Sequence, residues 1–283
     1  MKKVVLLFFA VCLTVFSFAQ DAAEKINQAN EALQNKEYAK ALELYESAMA
    51  NLGDVQVPEA INFNIGLAAY NSDNYEKAIP YFEKAIAADA NVDKSYEFMA
   101  GSYAKLDKTN EALDAYTKAI EASSPADKGS LSFNAGIVAY KGQEYDKAVN
   151  FFTAAVEGNY KGETAQYYKA VALSKLNKDA EYKAALEEGV AKFAGDDKLT
   201  KALANVYVSE GNDLYKKGAE ILSAANSRVN DGSMSTADDA YTAEVAKAGK
   251  EFAAALEVLE KATALDASNA NAQKLIEACK AAM

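Results

Sequence analysis

Residues 37–48, EYAKALELYESA, and residues 144–155, EYDKAVNFFTAA, decide the fold. Each carries an alanine, an aromatic ring four positions on and a second alanine three further. These are Ala41, Tyr45 and Ala48 in the first, and Ala148, Phe152 and Ala155 in the second. The frame recurs at Ala78, Phe82 and Ala85 and at Ala112, Tyr116 and Ala119. A weaker copy has Ala184 and Ala191, with Glu188 where the ring should stand. Spacings of three and four put the marked residues on one helical face. The leading alanines lie 34 to 37 residues apart. Self-similarity at that period means stacked supersecondary units, each burying its apolar face against its neighbours.

Upstream of each segment is an expected first helix with a small residue where the two helices cross: Ala29, Gly66, Ala100, Gly136 and Ala172. A small residue lets the backbones approach, and the ring fills the adjacent hole. This two-helix unit resembles the tetratricopeptide repeat (TPR). The resemblance implies an all-α, right-handed superhelical solenoid of five repeats over about residues 21–195. The chain departs from the family pattern in having no tryptophan and in lacking most repeat-ending prolines, Pro125 excepted. Pro80 falls near the start of a second helix, where a mild bend is expected.

After Gly195 the pattern stretches. Residues 207–215 read as another first helix, but the matching alanine frame returns only at Ala255, Leu259 and Ala262. Asn230-Asp231-Gly232 is a turn signal. Ser235 or Thr236, three before Asp238 or Asp239, is placed to cap a new helix. A long helical hairpin over about 199–265 and a terminal capping helix over about 269–282 are expected.

Lys2 and Lys3, an uncharged apolar run from Val4 to Phe18 and the small residues Ser17 and Ala19 read as a signal peptide over 1–19, cleaved after Ala19. The run is short for a membrane span, so no stable membrane insertion is expected once it is gone. The Phe-Ala-Gln ending resembles leaders of the Bacteroidota. A periplasmic or otherwise exported protein is the expectation. Cys12 lies in the leader, which leaves Cys279 without an internal disulfide partner. Cys279 fits the apolar pattern of the last helix, as a small buried hydrophobe.

The whole chain carries a net charge of −11, with Arg228 its single arginine. That balance speaks against nucleic acid, whose phosphates need clustered cations. There is no histidine, which removes the commonest general base and the usual zinc ligands. Residues 231–239 lack the ligand spacing of a calcium loop. No catalytic residue, cofactor or metal is expected.

In the family the first helices line the concave groove, and the resemblance places candidate partner-binding residues there. Repeat two offers Phe63, Asn64, Leu67 and Tyr70, and repeat four offers Phe133, Asn134, Ile137 and Tyr140. Both read Phe-Asn-x-Gly-x-x-Ala-Tyr. Repeat three adds Lys94, Phe98 and Lys105, and repeat one adds Asn27 and Asn30. An asparagine amide both donates and accepts, so it can grip a peptide backbone. Flanking rings supply apolar area at low entropic cost. The alternative is that the four aromatics are inter-repeat core. Asn30, Asn64 and Lys94 also match three places of a clamp for a C-terminal carboxylate. Ile26 and Phe98 stand where that clamp needs cations, so such capture is not expected. The functional expectation is a non-catalytic scaffold or adaptor holding a protein or peptide. Self-association through the hairpin, giving a homo-oligomer, is the alternative, and an enzyme or small-ligand binder ranks behind both.

Overall fold

The computed structural model describes residues 20–52 and 55–283. The leader expected over 1–19 lies outside the described residues. Every regular element among the described residues is a helix. In chain order they are α1 (20–34), α2 (Tyr38–Met49), α3 (Ile61–Asn71), α4 (Tyr75–Ala87), α5 (Val92–Lys105), α6 (Thr109–Ala122), α7 (Pro125–Lys141), α8 (Tyr145–Glu157), α9 (Gly162–Lys175), α10 (Asp179–Lys192), α11 (Asp197–Asn230), α12 (Asp239–Leu265) and α13 (Ala270–Ala282). Contacts divide the chain into two compact units, residues 1–160 and 161–283. The fold class is the expected one, an all-helical repeat solenoid with a long hairpin and a closing helix.

The first unit is four helix pairs, α1–α8. A ring from each second helix fills the notch left by a small residue on the first. A Cβ added at Gly66 would sit 2.8 Å from the Phe82 ring, and one at Gly136 would sit 2.7 Å from the Phe152 ring. Tyr45, Phe82 and Phe152 are fully buried, as are Ala29 and Ala100 at the other crossings. Burying a ring of this size stabilises by about 2–3 kcal/mol, and here the same contact sets the crossing distance of the pair.

Each first helix stops in the same way. The backbone N–H groups of Glu37, Asn74, Lys108 and Glu144 donate to the carbonyls of Ala32, Ala69, Tyr103 and Ala139, five residues back. The residues just before them, Lys36, Asp73, Asp107 and Gln143, are left-handed, with φ between 58° and 63°. This is the Schellman closure, which satisfies the last carbonyls and turns the chain into the second helix. Pro80 does not interrupt α4, which runs on to Ala87. Pro125 is the first residue of α7, where its missing N–H costs nothing.

The second unit holds α9–α13. In the weaker copy Glu188 takes the place of the ring. Its carboxylate accepts from the Gln166 amide at 3.1 Å and pairs with Lys169 at 3.3 Å. The hairpin helices α11 and α12 are 34 and 27 residues long. They meet along a seven-residue period: Ala204, Gly211, Gly218 and Ala225 against Ala248, Phe252, Ala255, Leu259 and Ala262, all buried. That period keeps one seam facing the partner helix over the full length. A Cβ at Gly211 would lie 2.5 Å from Leu259, and one at Gly218 would lie 2.7 Å from Phe252. So the repeat crossing is used twice along one hairpin. Leu275, Ile276 and Cys279 of α13 close the hairpin against Leu214, Tyr215 and Leu256. Cys279 is buried, as expected.

The start of α12 differs from expectation. The Asp238 carboxylate accepts from the Ser235 backbone N–H at 2.7 Å, and Ser235 Oγ accepts from the Ala237 N–H at 3.2 Å. These bonds close a turn ahead of the helix, with Asp238 N–H donating to the Ser235 carbonyl at 3.1 Å. The helix therefore begins only at Asp239.

Candidate functional site

The candidate residues sit on α1, α3, α5 and α7, all in the first unit. Beyond its sequence neighbours, α3 also touches α5, first helix to first helix. The structure divides the candidates into four groups.

Asn30 and Asn64 converge on one buried hydroxyl. Tyr45 donates to Asn30 Oδ1 at 2.5 Å. Burial pushes the Tyr45 phenol up to about 12, and a hydrogen bond from Asn64 partly opposes that shift. The mid-helix Asn64 thus has a structural reason, because it completes the polar end of a fully buried ring. Asn27 is exposed.

Phe63, Tyr70 and Phe98 form a second group around the buried Phe82. Phe63 lies 6.0 Å from Phe82 and 6.2 Å from Phe98 between ring centroids. Tyr70 packs edge-on to Phe98 at 5.1 Å, and Phe98 stacks on Phe82 at 5.8 Å. Phe82 is fully covered, whereas Phe63, Leu67, Tyr70 and Phe98 are half-buried. Lys94, on the same helix as Phe98, is engaged by Glu97 at 2.8 Å, and this pairing raises its pKa.

Phe133 is a correction. It is 7% exposed and packs on Phe152 at 6.0 Å and Tyr160 at 5.7 Å. It is core, because Tyr160 folds over the flank that Phe63 leaves open to Phe98. The matching Phe-Asn strings therefore do not have matching surroundings. Tyr140 is half-buried and meets Tyr145 at 5.6 Å, as Tyr70 meets Tyr75 at 5.6 Å. Asn134 is exposed and forms no side-chain hydrogen bond among the described residues.

The fourth group lines a cleft of about 310 Å³ that includes Tyr70, Gly101, Lys105, Tyr116, Ile137 and Lys141. Of these, Tyr70, Lys105 and Ile137 were marked in the sequence as groove residues. Tyr116 and Lys141 were not. Tyr116 was read only as a repeat ring, and the signal that could have separated it is its hydroxyl, which Phe82 and Phe152 lack. No group of three or more metal-ligating side chains gathers among the described residues. No helix among them is long and apolar enough to cross a membrane.

The model of the tetratricopeptide repeat matches residues 26–93 and 99–167. No curated protein matches the chain. Among solved structures, the chain is similar to the C-terminal part of a TPR repeat-containing protein from Cytophaga hutchinsonii. The identity is 14%, over 89% of this chain and 99% of that one, with a TM-score of 0.51. It is also similar to YrrB, described as a TPR protein with an unusual peptide-binding site. There the identity is 20%, over 64% of this chain and 91% of that one, with a TM-score of 0.50. Likeness at these identities speaks to fold alone. Over residues 26–93 and 99–167 the chain is similar to the tetratricopeptide repeat, and its helix pairs there have the fold which that repeat implies.

Proposed function

We propose that the first unit holds a segment of a partner protein along α3, α5 and α7, as a non-catalytic adaptor or scaffold. Tetratricopeptide repeats are protein-interaction scaffolds, which sets the class. The observation that carries the reading is the contrast between Phe82, fully covered, and its half-buried neighbours Phe63, Tyr70 and Phe98. Rings packed only on one side keep apolar area available to a partner. Asn134, exposed and unbonded nearby in sequence register, adds a donor and an acceptor for a peptide backbone. The test is photo-crosslinking from the first unit in the native host, followed by partner identification. Asn134→Ala with Ile137→Glu is expected to abolish capture while the melting temperature moves by only a few degrees. Undiminished capture overturns the reading.

The leader-like residues 1–19 extend the proposal to an exported protein of Bacteroidota-like origin. N-terminal sequencing of the protein recovered from the producing cell tests this, with the mature chain expected to begin at Gln20.

A second reading rests on the hairpin. An open groove of about 440 Å³ is lined by Tyr215, Leu222, Asn226 and Phe252, with Ala282 at the end of α13. Self-association there would give a dimer in sedimentation that is lost on trimming residues 220–245. A monomer at all concentrations excludes it.

A further inference from the structure

The four repeat rings of the first unit alternate in kind: Tyr45, Phe82, Tyr116 and Phe152. Two of them therefore carry a hydroxyl into the interior, and the protein treats these two differently. Tyr45 donates to Asn30 at 2.5 Å and is also bonded by Asn64. Asn30 directly follows the small residue Ala29. In the third repeat the residue after the small Ala100 is Gly101, which has no side chain to offer. The counterpart of Asn64 is Asn134, which forms no hydrogen bond among the described residues. Tyr116 is 7% exposed, yet its hydroxyl has no hydrogen-bond partner among the described residues. Among the described residues the fully buried side-chain atom left without a partner is Gln166 Oε1, so the Tyr116 hydroxyl still reaches solvent and is open to a ligand.

Gly101 lines the cleft, and a side chain there would run into the Tyr70 ring. Tyr70, whose hydroxyl has no hydrogen-bond partner among the described residues, lies 2.8 Å from a would-be Cβ at Gly101. So Tyr70 and Tyr116 both line one cavity. At its rim stand Lys105 and Lys141, the last residues of α5 and α7. Both are exposed, and neither forms an ion pair among the described residues. By contrast, Lys94 on the same face is tied to Glu97 and Lys147 to Glu144. In a chain with 41 acidic side chains against 30 basic ones, two unpaired cations beside two unpaired donors form a local exception. Asp107 is the one acid in the lining, and it is exposed, where solvent screens it.

We propose that this cleft takes the side-chain carboxylate of an acidic segment of the partner protein, a specification that rests on the adaptor reading above. The Tyr116 and Tyr70 hydroxyls donate to the carboxylate oxygens, and Lys105 and Lys141 supply the charge. Charge-assisted bonds of this kind are the strong ones. A cavity of about 310 Å³ admits one side chain while the peptide backbone stays outside. Ile137 and Val138 provide an apolar wall for the methylenes.

The test uses the full chain and three fluorescent nonapeptides, read by anisotropy. The first has blocked termini and a Leu-Glu-Leu centre. The second replaces that Glu with Gln. The third carries the Gln centre and a free C-terminal carboxylate. The Glu peptide is expected to bind roughly tenfold tighter than the Gln peptide. Tyr116→Phe keeps the ring and is expected to erase most of that preference. Lys105→Gln with Lys141→Gln is expected to weaken binding and flatten its salt dependence. Tyr45→Phe, whose hydroxyl is already satisfied within the protein, is expected to leave the preference unchanged. Equal affinity for Glu and Gln peptides overturns the proposal, as does no binding of the Glu peptide at millimolar concentration. A preference retained in Tyr116→Phe, or tighter binding of the free-carboxylate peptide, also overturns it. None of these outcomes touches the adaptor reading, which stands or falls on whether photo-crosslinking from the first unit captures a partner at all.

Discussion

The hydroxyl of Tyr45 reaches Asn30 across the α1–α2 crossing at 2.5 Å, whereas the corresponding hydroxyl of Tyr116 has no hydrogen-bond partner among the described residues. One repeat has its buried polar end closed by its own Asn30 and by Asn64 of the next repeat, and another leaves that end open. The two asparagines around Tyr45 are thus part of the fold, and the open end at Tyr116 is available for function.

Removing Asn30 leaves the Tyr45 hydroxyl with one partner fewer in a dry site. Asn30→Ala is expected to cost about 1–2 kcal/mol in urea unfolding. Asn134→Ala removes an exposed, unbonded amide and is expected to stay within about 0.5 kcal/mol. Equal losses for the two would contradict the assignment of Asn30 to the fold.

Alkali should unfold the protein through its buried phenols. Burial raises Tyr45 from 10.0 to about 12, and burial followed by the Glu187 hydrogen bond raises Tyr207 to about 12. Burial also raises Tyr116 strongly. Below pH 10 these groups are protonated in both states, and their contribution is constant. Between about pH 10 and 12 the unfolded chain loses these protons first, so stability falls as pH rises. Tyr45→Phe should make that decline shallower in pH-dependent melts, and an unchanged slope would count against it.

The crossing glycines leave no room. Gly136→Ala places a Cβ 2.7 Å from Phe152 and is expected to destabilise by about 1–3 kcal/mol through overpacking. Gly249 lies within α12 with nothing within 4 Å of an added Cβ. Gly249→Ala should stabilise by up to about 1 kcal/mol, the helix-propensity difference. Thermal melts of the two variants should move in opposite directions.

Cys279 is fully buried beneath the hairpin, and burial raises its thiol pKa. A maleimide should label it slowly in the native protein and rapidly in denaturant. Fast native labelling would mean that α13 opens readily from α11 and α12.

Much of the architecture is legible in the residues. The alanine frame, the ring four positions on and the small residue upstream are local, periodic signals, and each reports directly on which face of a helix is buried. The hairpin is legible as well, because Gly211, Gly218 and their partners repeat every seven residues. The start of α12 is less so. Ser235 and Asp238 can cap a helix or close a turn, and only the path of the chain selects between them.

The sequence by itself determined a stack of helix pairs, the rings that fix their crossings and the absence of histidine chemistry. These follow from periodicity and composition, which every helix carries within its own residues. Tertiary structure decided the fate of the two Phe-Asn strings. Phe63 stays half-open beside Phe98, while Phe133 is sealed by Tyr160. Asn64 is held by Tyr45, while Asn134 forms no side-chain hydrogen bond among the described residues. These differences come from residues outside the strings, at Phe98, Tyr160 and Tyr45. Matching local strings take their exposure and hydrogen bonding from neighbours that local sequence does not name.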